Sequence, residues 1–189
     1  MNQIHFTFDF EKTLQASALI LHLHDRKVGI MRLLKILYIA DRELLAETGS
    51  TLTGDHAYAM KKGPVLSAVY DLAKMQSSHS AAWDSFIQKT GYFLSLKSDP
   101  GRGKLSKAES EKIHKICEKY CEFDDCDLSE VTHGFAEWER AFDHSHPDSS
   151  NRMSWEDALS AQGKDELIEE IKSEVAEKRL IDAVFEYQH

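Results

Sequence analysis

The sequence has no long apolar run, little cysteine and no excess of positive charge, and each shortage argues against a class of protein. No apolar stretch approaches the ~20 residues that a membrane-spanning helix needs. The first residues show neither the basic start nor the apolar centre of a secretory signal. Apolar residues nevertheless make up 42% of the 189 residues, which is typical of a globular chain with a real core. We therefore expect a cytoplasmic globular protein that does not enter a membrane.

Cysteine occurs only at Cys117, Cys121 and Cys126. A small, odd number of cysteines indicates a reducing compartment and argues against a disulfide framework. With His114 they resemble a set of metal ligands. Structural zinc sites, however, usually take two short pairs of ligands from separate elements, and the same helical face has to bury apolar residues. We expect no metal and no cofactor.

Positive charge is in deficit, because 23 basic residues face 32 acidic ones and the net charge is −9. A nucleic-acid-binding protein needs an excess of lysine and arginine on some face, so we expect no direct contact with nucleic acid. The acid is concentrated between residues 109 and 143, where eleven acidic residues stand against four basic ones. This stretch is either a solvated surface or a surface for a basic partner.

Catalytic motifs are also missing: the sequence has no G-x-S-x-G, no H-E-x-x-H and no phosphate-binding loop of the G-x-x-x-x-G-K-[ST] type. Lys35 and Asp41 are of more interest, because they lie in a helix that should be buried, where a charge needs a partner. They are six residues apart and do not face each other. Each is therefore a structural ion pair, part of an exposed stripe, or part of a polar pocket. Under the pocket hypothesis the protein is a small enzyme or a protein that binds phosphate or another small ligand. This hypothesis adds a helix start at Gly63 and Pro64 whose free N–H groups could hold the ligand.

Apolar periodicity predicts a mostly α-helical, compact single domain of about seven helices around a buried central helix. The stretch from 29 to 47 is apolar in nearly every direction, which is typical of a helix surrounded by other elements. The stretches 57–60 and 91–97 alternate like strands. We expect them to pair as a small antiparallel two- or three-stranded β-element at one edge.

Proline, glycine and apolar spacing predict further boundaries of helices and of the domain. Pro64 is predicted to be the first residue of a helix, where its missing N–H group is harmless. Apolar residues at helical spacing predict one helix from 128 to 142, across Gly134. Residues 1–162 should form the domain, and residues 163–189 a charged C-terminal helix packed on it.

The segment from 33 to 74 resembles the core signature of the Panacea domain, the family of SocA-like antitoxins. The shared pattern is a K-x-L-Y-x-x-D helix, a T-G-D turn, an aromatic strand and a G-P-V segment. The matching residues are Lys35, Leu37, Tyr38, Asp41, Thr53, Gly54, Asp55, Tyr58, Gly63, Pro64, Val65 and Tyr70. A second block resembles the family at Leu105, Ser106, Tyr120, Leu128, Ser129, Thr132, His133 and Trp138. The likeness runs from about residue 8 to residue 160 and departs at Cys121, where the family often has glycine.

The resemblance implies a non-enzymatic antitoxin that neutralises a cognate protein toxin by direct contact. It further implies that the protein could act as an adaptor that delivers the toxin to an ATP-dependent protease, and an association with phages or mobile elements. Structural roles fall to Lys35, Tyr38, Asp41, Gly54, Gly63 and Pro64. The predicted partner-binding residues are Tyr58, Lys61, Lys62, His133 and Trp138. The sequence leaves the oligomeric state open.

Overall fold

A computed structural model describes residues 3–186. The helices are α1 (Phe10–Leu23), α2 (Ile30–Thr48), α3 (Ser67–Lys74), α4 (Ser80–Asp84), α5 (Lys107–Lys119), α6 (Asp125–His133), α7 (Ala136–Ala141), α8 (Trp155–Ser160) and α9 (Ile168–Glu186), with a 3-10 turn at Asp165–Leu167. The strands are β1 (Lys27–Gly29), β2 (Ala57–Met60), β3 (Gly63–Leu66), β4 (Ile87–Thr90), β5 (Phe93–Leu96) and β6 (Asn151–Arg152). The protein is therefore mostly helical, with more helices and more strands than the sequence predicted.

Helix α2 is buried along most of its length, from Leu33 to Asp41 and again at Leu44 and Leu45. It packs against α1, α3, α5, α6 and α8 and against strands β1 and β3. The helix ends at Gly49, which adopts the left-handed conformation (φ 73°) and donates its N–H to the Leu45 carbonyl. That C-terminal cap is the one expected of glycine. No helix within residues 3–186 is long and apolar enough to cross a bilayer.

The strands form two separate three-stranded antiparallel sheets, with the orders β1-β5-β4 and β3-β2-β6. The predicted pairing of 57–60 with 91–97 is therefore wrong. Each of these strands pairs instead with its neighbour along the chain: β2 with β3 across Lys61 and Lys62, and β5 with β4 across Gly91 and Tyr92. A two-residue turn closes a hairpin with a smaller loss of chain entropy than a long connection does.

Pro64 lies in strand β3 and not at the start of a helix, so that prediction is wrong as well. Strand β3 is at the edge of its sheet, where a residue without an N–H group is tolerated. The following helix, α3, begins three residues later at Ser67, and its N-cap Leu66 makes no side-chain capping bond. A helix start at Gly63 and Pro64 is therefore not present.

The predicted helix from 128 to 142 is broken into α6 and α7. Gly134 ends α6, and Phe135 has an extended backbone (φ −80°, ψ 124°) before α7 begins. Glycine is a poor helix former, so the break occurs where the helix is intrinsically weakest. The change of direction lets the Trp138 indole N–H reach the Met60 carbonyl at 3.1 Å.

Helix α9 packs on the rest of the protein through its first turns, where Ile171 is 2% exposed. Ile171 lies close to Gly49 at the end of α2. Further along the helix Leu180 and Ile181 are exposed. Part of the predicted C-terminal segment, residues 187–189, lies outside the described residues, and the boundary between 162 and 163 stays a prediction.

Replacing Gly63 with alanine should destabilise the protein more than the same change at Gly101. Both glycines have positive φ values, 92° and 80°, so both substitutions carry the strain of an alanine in the left-handed region, ~1–2 kcal/mol. A Cβ atom at Gly63 would also lie 2.6 Å from both Lys35 Nζ and Thr132 Oγ1, whereas nothing lies within 4 Å at Gly101. We expect the overlap to remove a further ~1–3 kcal/mol from the free energy of unfolding.

Chemical denaturation of the two variants measures this difference directly. Gly101→Ala is the matched control, since it shares the backbone strain and lacks the overlap. Equal losses of stability in both variants would contradict the close packing around Gly63.

Candidate functional site

Lys35 is fully buried on α2, and its ammonium donates a hydrogen bond to the Pro64 carbonyl at 2.8 Å. Its Nζ lies beside Gly63, in a space that it shares with the Thr132 hydroxyl. Among residues 3–186 no carboxylate lies within salt-bridge distance of it, so Lys35 is neither part of an ion pair there nor part of an exposed stripe. Burial lowers the pKa of Lys35 to about 7, because a desolvated ammonium loses its hydration. Lys35 thereby attaches strand β3 to α2.

Asp41 is also fully buried, and it attaches a second segment, the T-G-D turn at Thr53, to α2. It accepts hydrogen bonds from the Thr53 backbone N–H at 2.8 Å and from the Thr53 hydroxyl. Burial raises the pKa of Asp41 to about 7, against the opposing effect of these hydrogen bonds. The network continues through Asp55, whose N–H donates to Thr53 Oγ1 and whose carboxylate accepts from the Val69 N–H, both at 3.1 Å. The T-G-D turn is therefore held between α2 and α3.

Tyr38 attaches a third segment, helix α7, to α2. Its hydroxyl donates to Glu137 Oε1 at 3.0 Å, and Arg42 donates to the same carboxylate at 2.5 Å. Glu137 is 1% exposed, and the guanidinium of Arg42 also lies over the Phe135 ring at 4.2 Å. Sequence reasoning missed Arg42 and Glu137. The available signal was Tyr38 itself, since a tyrosine on a buried helix needs a partner for its hydroxyl.

An aromatic stack lies beneath the β2–β3 turn. The Trp138 ring is stacked between His133 at 4.3 Å and Phe142 at 4.6 Å, and its indole N–H is bonded to Met60. His133 Nε2 is buried and has no hydrogen-bond partner within residues 3–186. Burial lowers the pKa of His133. The stack supports the exposed turn residues 61–62 from below.

The structure brings four of the five predicted partner-binding residues to one place. Lys61 and Lys62 form the turn, and His133 and Trp138 lie next to it. Trp138 is only 4% exposed, so it supports this surface more than it contributes to it. Tyr58 lies further back on β2, where it pairs with β6. Whether any of these residues contacts a partner stays a prediction.

A groove opens beside this turn, with a volume of about 440 Å³. Its walls come from the start of α2, the β2–β3 hairpin, α3 and the β4–β5 turn. The apolar floor consists of Ile30, Met31, Leu34, Met60, Val65 and Tyr70. The rim carries Lys61, Lys62, Lys74 and Lys89. We call this feature the lysine-rimmed groove; sequence reasoning missed it except for the two turn lysines.

No acidic side chain lines the lysine-rimmed groove. Lys61 is 3.6 Å from Asp148, but both side chains are largely exposed, and such pairs contribute little. Within residues 3–186 no carboxylate lies within salt-bridge distance of Lys62, Lys74 or Lys89. The groove is thus a locally positive site on a protein with a net charge of −9.

The acid-rich stretch from 109 to 143 is largely satisfied by contacts within the protein. Glu109 pairs with Lys12 at 2.9 Å, and Asp124 and Asp127 cap α6. Further carboxylates of this stretch that contact a cation or an imidazole are Glu111, Asp125, Glu130, Glu137, Glu139 and Asp143. Many of these pairs are largely exposed, where such contacts contribute little, so both interpretations of the stretch stay predictions.

The hypothesis of a pocket around Lys35 and Asp41 finds no support. Both side chains are 0% exposed and bonded to protein groups, and Gly63 lies in a strand. Cys117 is buried, which raises the pKa of its thiol to about 12, whereas Cys121 and Cys126 are exposed. No group of three or more metal-ligating side chains comes together in the described part of the chain.

Comparison with known proteins gives one result. The sequence profile of a family described as "Antitoxin SocA-like, Panacea domain" matches residues 33–139, which is more than half of the chain. The matched region contains α2 from Leu33 onward, α3, the β2–β3 and β4–β5 hairpins, and the aromatic stack as far as Trp138. Searches of curated proteins and of solved structures give no match.

The buried ammonium should make stability depend on pH. Because the pKa of Lys35 falls from 10.5 in the unfolded chain to about 7 in the folded protein, the unfolded chain binds more protons between these values. The free energy of unfolding should therefore rise with pH from about 7 to about 10, by up to ~1.4 kcal/mol per pH unit. Lys35→Met removes the titrating group and keeps an unbranched side chain that is one heavy atom shorter.

Chemical denaturation of both proteins across this pH range tests the assignment. The informative quantity is the difference between the wild type and Lys35→Met, since other groups titrate equally in both. The free energy of unfolding of the wild type minus that of Lys35→Met should increase as pH rises from about 7 to about 10. Parallel curves would contradict a neutralised, buried lysine.

Proposed function

The chain belongs to the SocA-like Panacea antitoxin domain family, and from this membership we propose that it neutralises a cognate protein toxin by direct binding. The observation that carries the proposal is the lysine-rimmed groove, which lies beside the turn of Lys61 and Lys62. Preformed apolar grooves with charged rims are typical of sites that bind other molecules. The proposed setting is the cytoplasm, with no cofactor and no direct contact with nucleic acid.

The roles of the buried polar residues agree with a binding function. Lys35, Tyr38 and Asp41 are the groups that could most readily have served in catalysis, and each is engaged in attaching another segment to α2. The bond from Lys35 to Pro64 also holds the β2–β3 hairpin against α2. A rigid surface binds with a smaller loss of conformational entropy than a flexible one.

The antitoxin role is tested by growth rescue. Expression of the neighbouring gene alone should arrest growth, and coexpression of this chain should restore it. Lys61→Glu combined with Lys62→Glu should reduce rescue strongly, because the turn would then carry the wrong charge. Lys107→Glu with Lys115→Glu, at two exposed positions of α5, makes the same change in net charge and should rescue like the wild type.

Several results would count against the proposal. A wild-type chain that is folded and abundant but gives no rescue contradicts the antitoxin role. Equal rescue by both double variants contradicts the placement of the binding site at the turn. Melting temperatures of the purified variants show whether a loss of rescue reflects unfolding.

We further propose that the protein could deliver the bound toxin to an ATP-dependent protease. A shortened toxin half-life in the presence of the chain supports this adaptor role, provided that it depends on an active protease. An unchanged half-life together with full growth rescue identifies a simple blocker. Pulse-chase measurement of the toxin distinguishes the two.

A further inference from the structure

We propose that the lysine-rimmed groove binds an acidic amphipathic segment of the partner protein. Apolar side chains of the segment would lie on the groove floor, and its carboxylates would face the lysines. This inference rests on the proposed function, since it names the chemistry by which the toxin is held. Its test below does not require the toxin.

The floor of the groove is apolar and preformed. It combines Ile30 and Leu34 of α2 with Val65 of β3 and Tyr70 of α3. These elements are held together by the β2–β3 hairpin and by the bond from Lys35 to Pro64. A volume of about 440 Å³ is within the range of preformed binding sites and accommodates a few side chains.

The rim decides the sign of the partner's charge. Its four lysines come from three elements: the β2–β3 turn, the end of α3 at Lys74, and strand β4 at Lys89. They therefore surround the floor, and no carboxylate lines the groove to neutralise them. An apolar segment flanked by glutamate or aspartate is attracted to this rim, whereas one flanked by lysine or arginine is repelled.

One end of the groove offers a fixed aromatic side chain. Tyr92 is 45% exposed, yet its hydroxyl donates to Asp125 Oδ2 at 2.6 Å and accepts from the Met31 N–H at 3.3 Å. The ring is therefore held in place while one side stays accessible. Rigid, exposed aromatic rings are frequent anchors in protein interfaces.

A protein segment fits this groove better than a small acid or a membrane surface. The cationic groups are exposed lysines at the rim, which suit carboxylates laid over the floor, and a small ligand would normally be oriented by buried polar groups. A membrane-binding surface presents protruding apolar side chains, whereas this floor is concave. The net charge of −9 also repels anionic lipid.

A fluorescence-anisotropy titration with a labelled peptide tests the inference on the full chain. The probe is a short peptide with leucines at helical spacing between glutamates, and its counterpart has lysine in place of every glutamate. The glutamate peptide should bind the wild type, and more weakly as salt concentration rises. Lys62→Glu with Lys89→Glu should weaken its binding about tenfold and should improve binding of the lysine peptide. Lys107→Glu with Lys115→Glu should bind both peptides as the wild type does.

Each outcome is decisive for the inference. The exchange of peptide preference in the groove variant supports it, and also shows that the variant is folded. No binding of the glutamate peptide, or equal binding by both double variants, overturns it. A small acid that native mass spectrometry finds bound to the wild type but not to the Lys62→Glu, Lys89→Glu variant also overturns it. If any of these three results is accompanied by growth rescue by the wild type, the antitoxin role stands and only this inference fails. If rescue fails while the glutamate peptide still binds selectively, only the antitoxin role is contradicted.

Discussion

The structure depends on the requirement that every polar group on the buried helix α2 must find a partner. Leaving a buried donor or acceptor unpaired costs about 1–3 kcal/mol, so each such residue selects a segment to pack beside it. Lys35 donates to the Pro64 carbonyl and Tyr38 donates to Glu137, whereas Asp41 accepts from Thr53. Three segments that are distant in sequence are thereby fixed around one helix. The apolar residues of α2 drive burial, but these polar contacts determine the arrangement.

The same contacts connect the interior to the proposed binding surface. The bond from Lys35 fixes strand β3, and Gly63 passes too close to that ammonium to carry a side chain. The exposed turn directly before Gly63 therefore has a defined position. The residues that match the family pattern are largely buried, whereas the lysines at 61, 62, 74 and 89 lie outside it.

The sequence was sufficient for features that depend on local pattern and insufficient for those that depend on distant contacts. The helical character of α2 follows from periodicity, and its C-terminal cap follows from Gly49. The demand of Lys35 for a partner from another element was also predictable, but not that the partner would be a carbonyl. The predicted pairing of 57–60 with 91–97 was wrong because strand β2 forms a hairpin with β3, the next strand along the chain. Glu137 was missed because nothing local distinguishes it from the surface acids around it.

The distribution of charge, more than its total, bears on the choice of partner. A net charge of −9 suggests a basic partner, yet many acids of the 109–143 stretch contact cations or imidazoles of the same chain. The groove lysines have fewer such contacts. A segment that carries carboxylates is therefore repelled by the net charge of the protein and attracted at the proposed site by the four rim lysines. That combination favours a segment whose carboxylates match the rim and opposes adhesion of acidic proteins elsewhere, so specificity comes from repulsion as well as attraction.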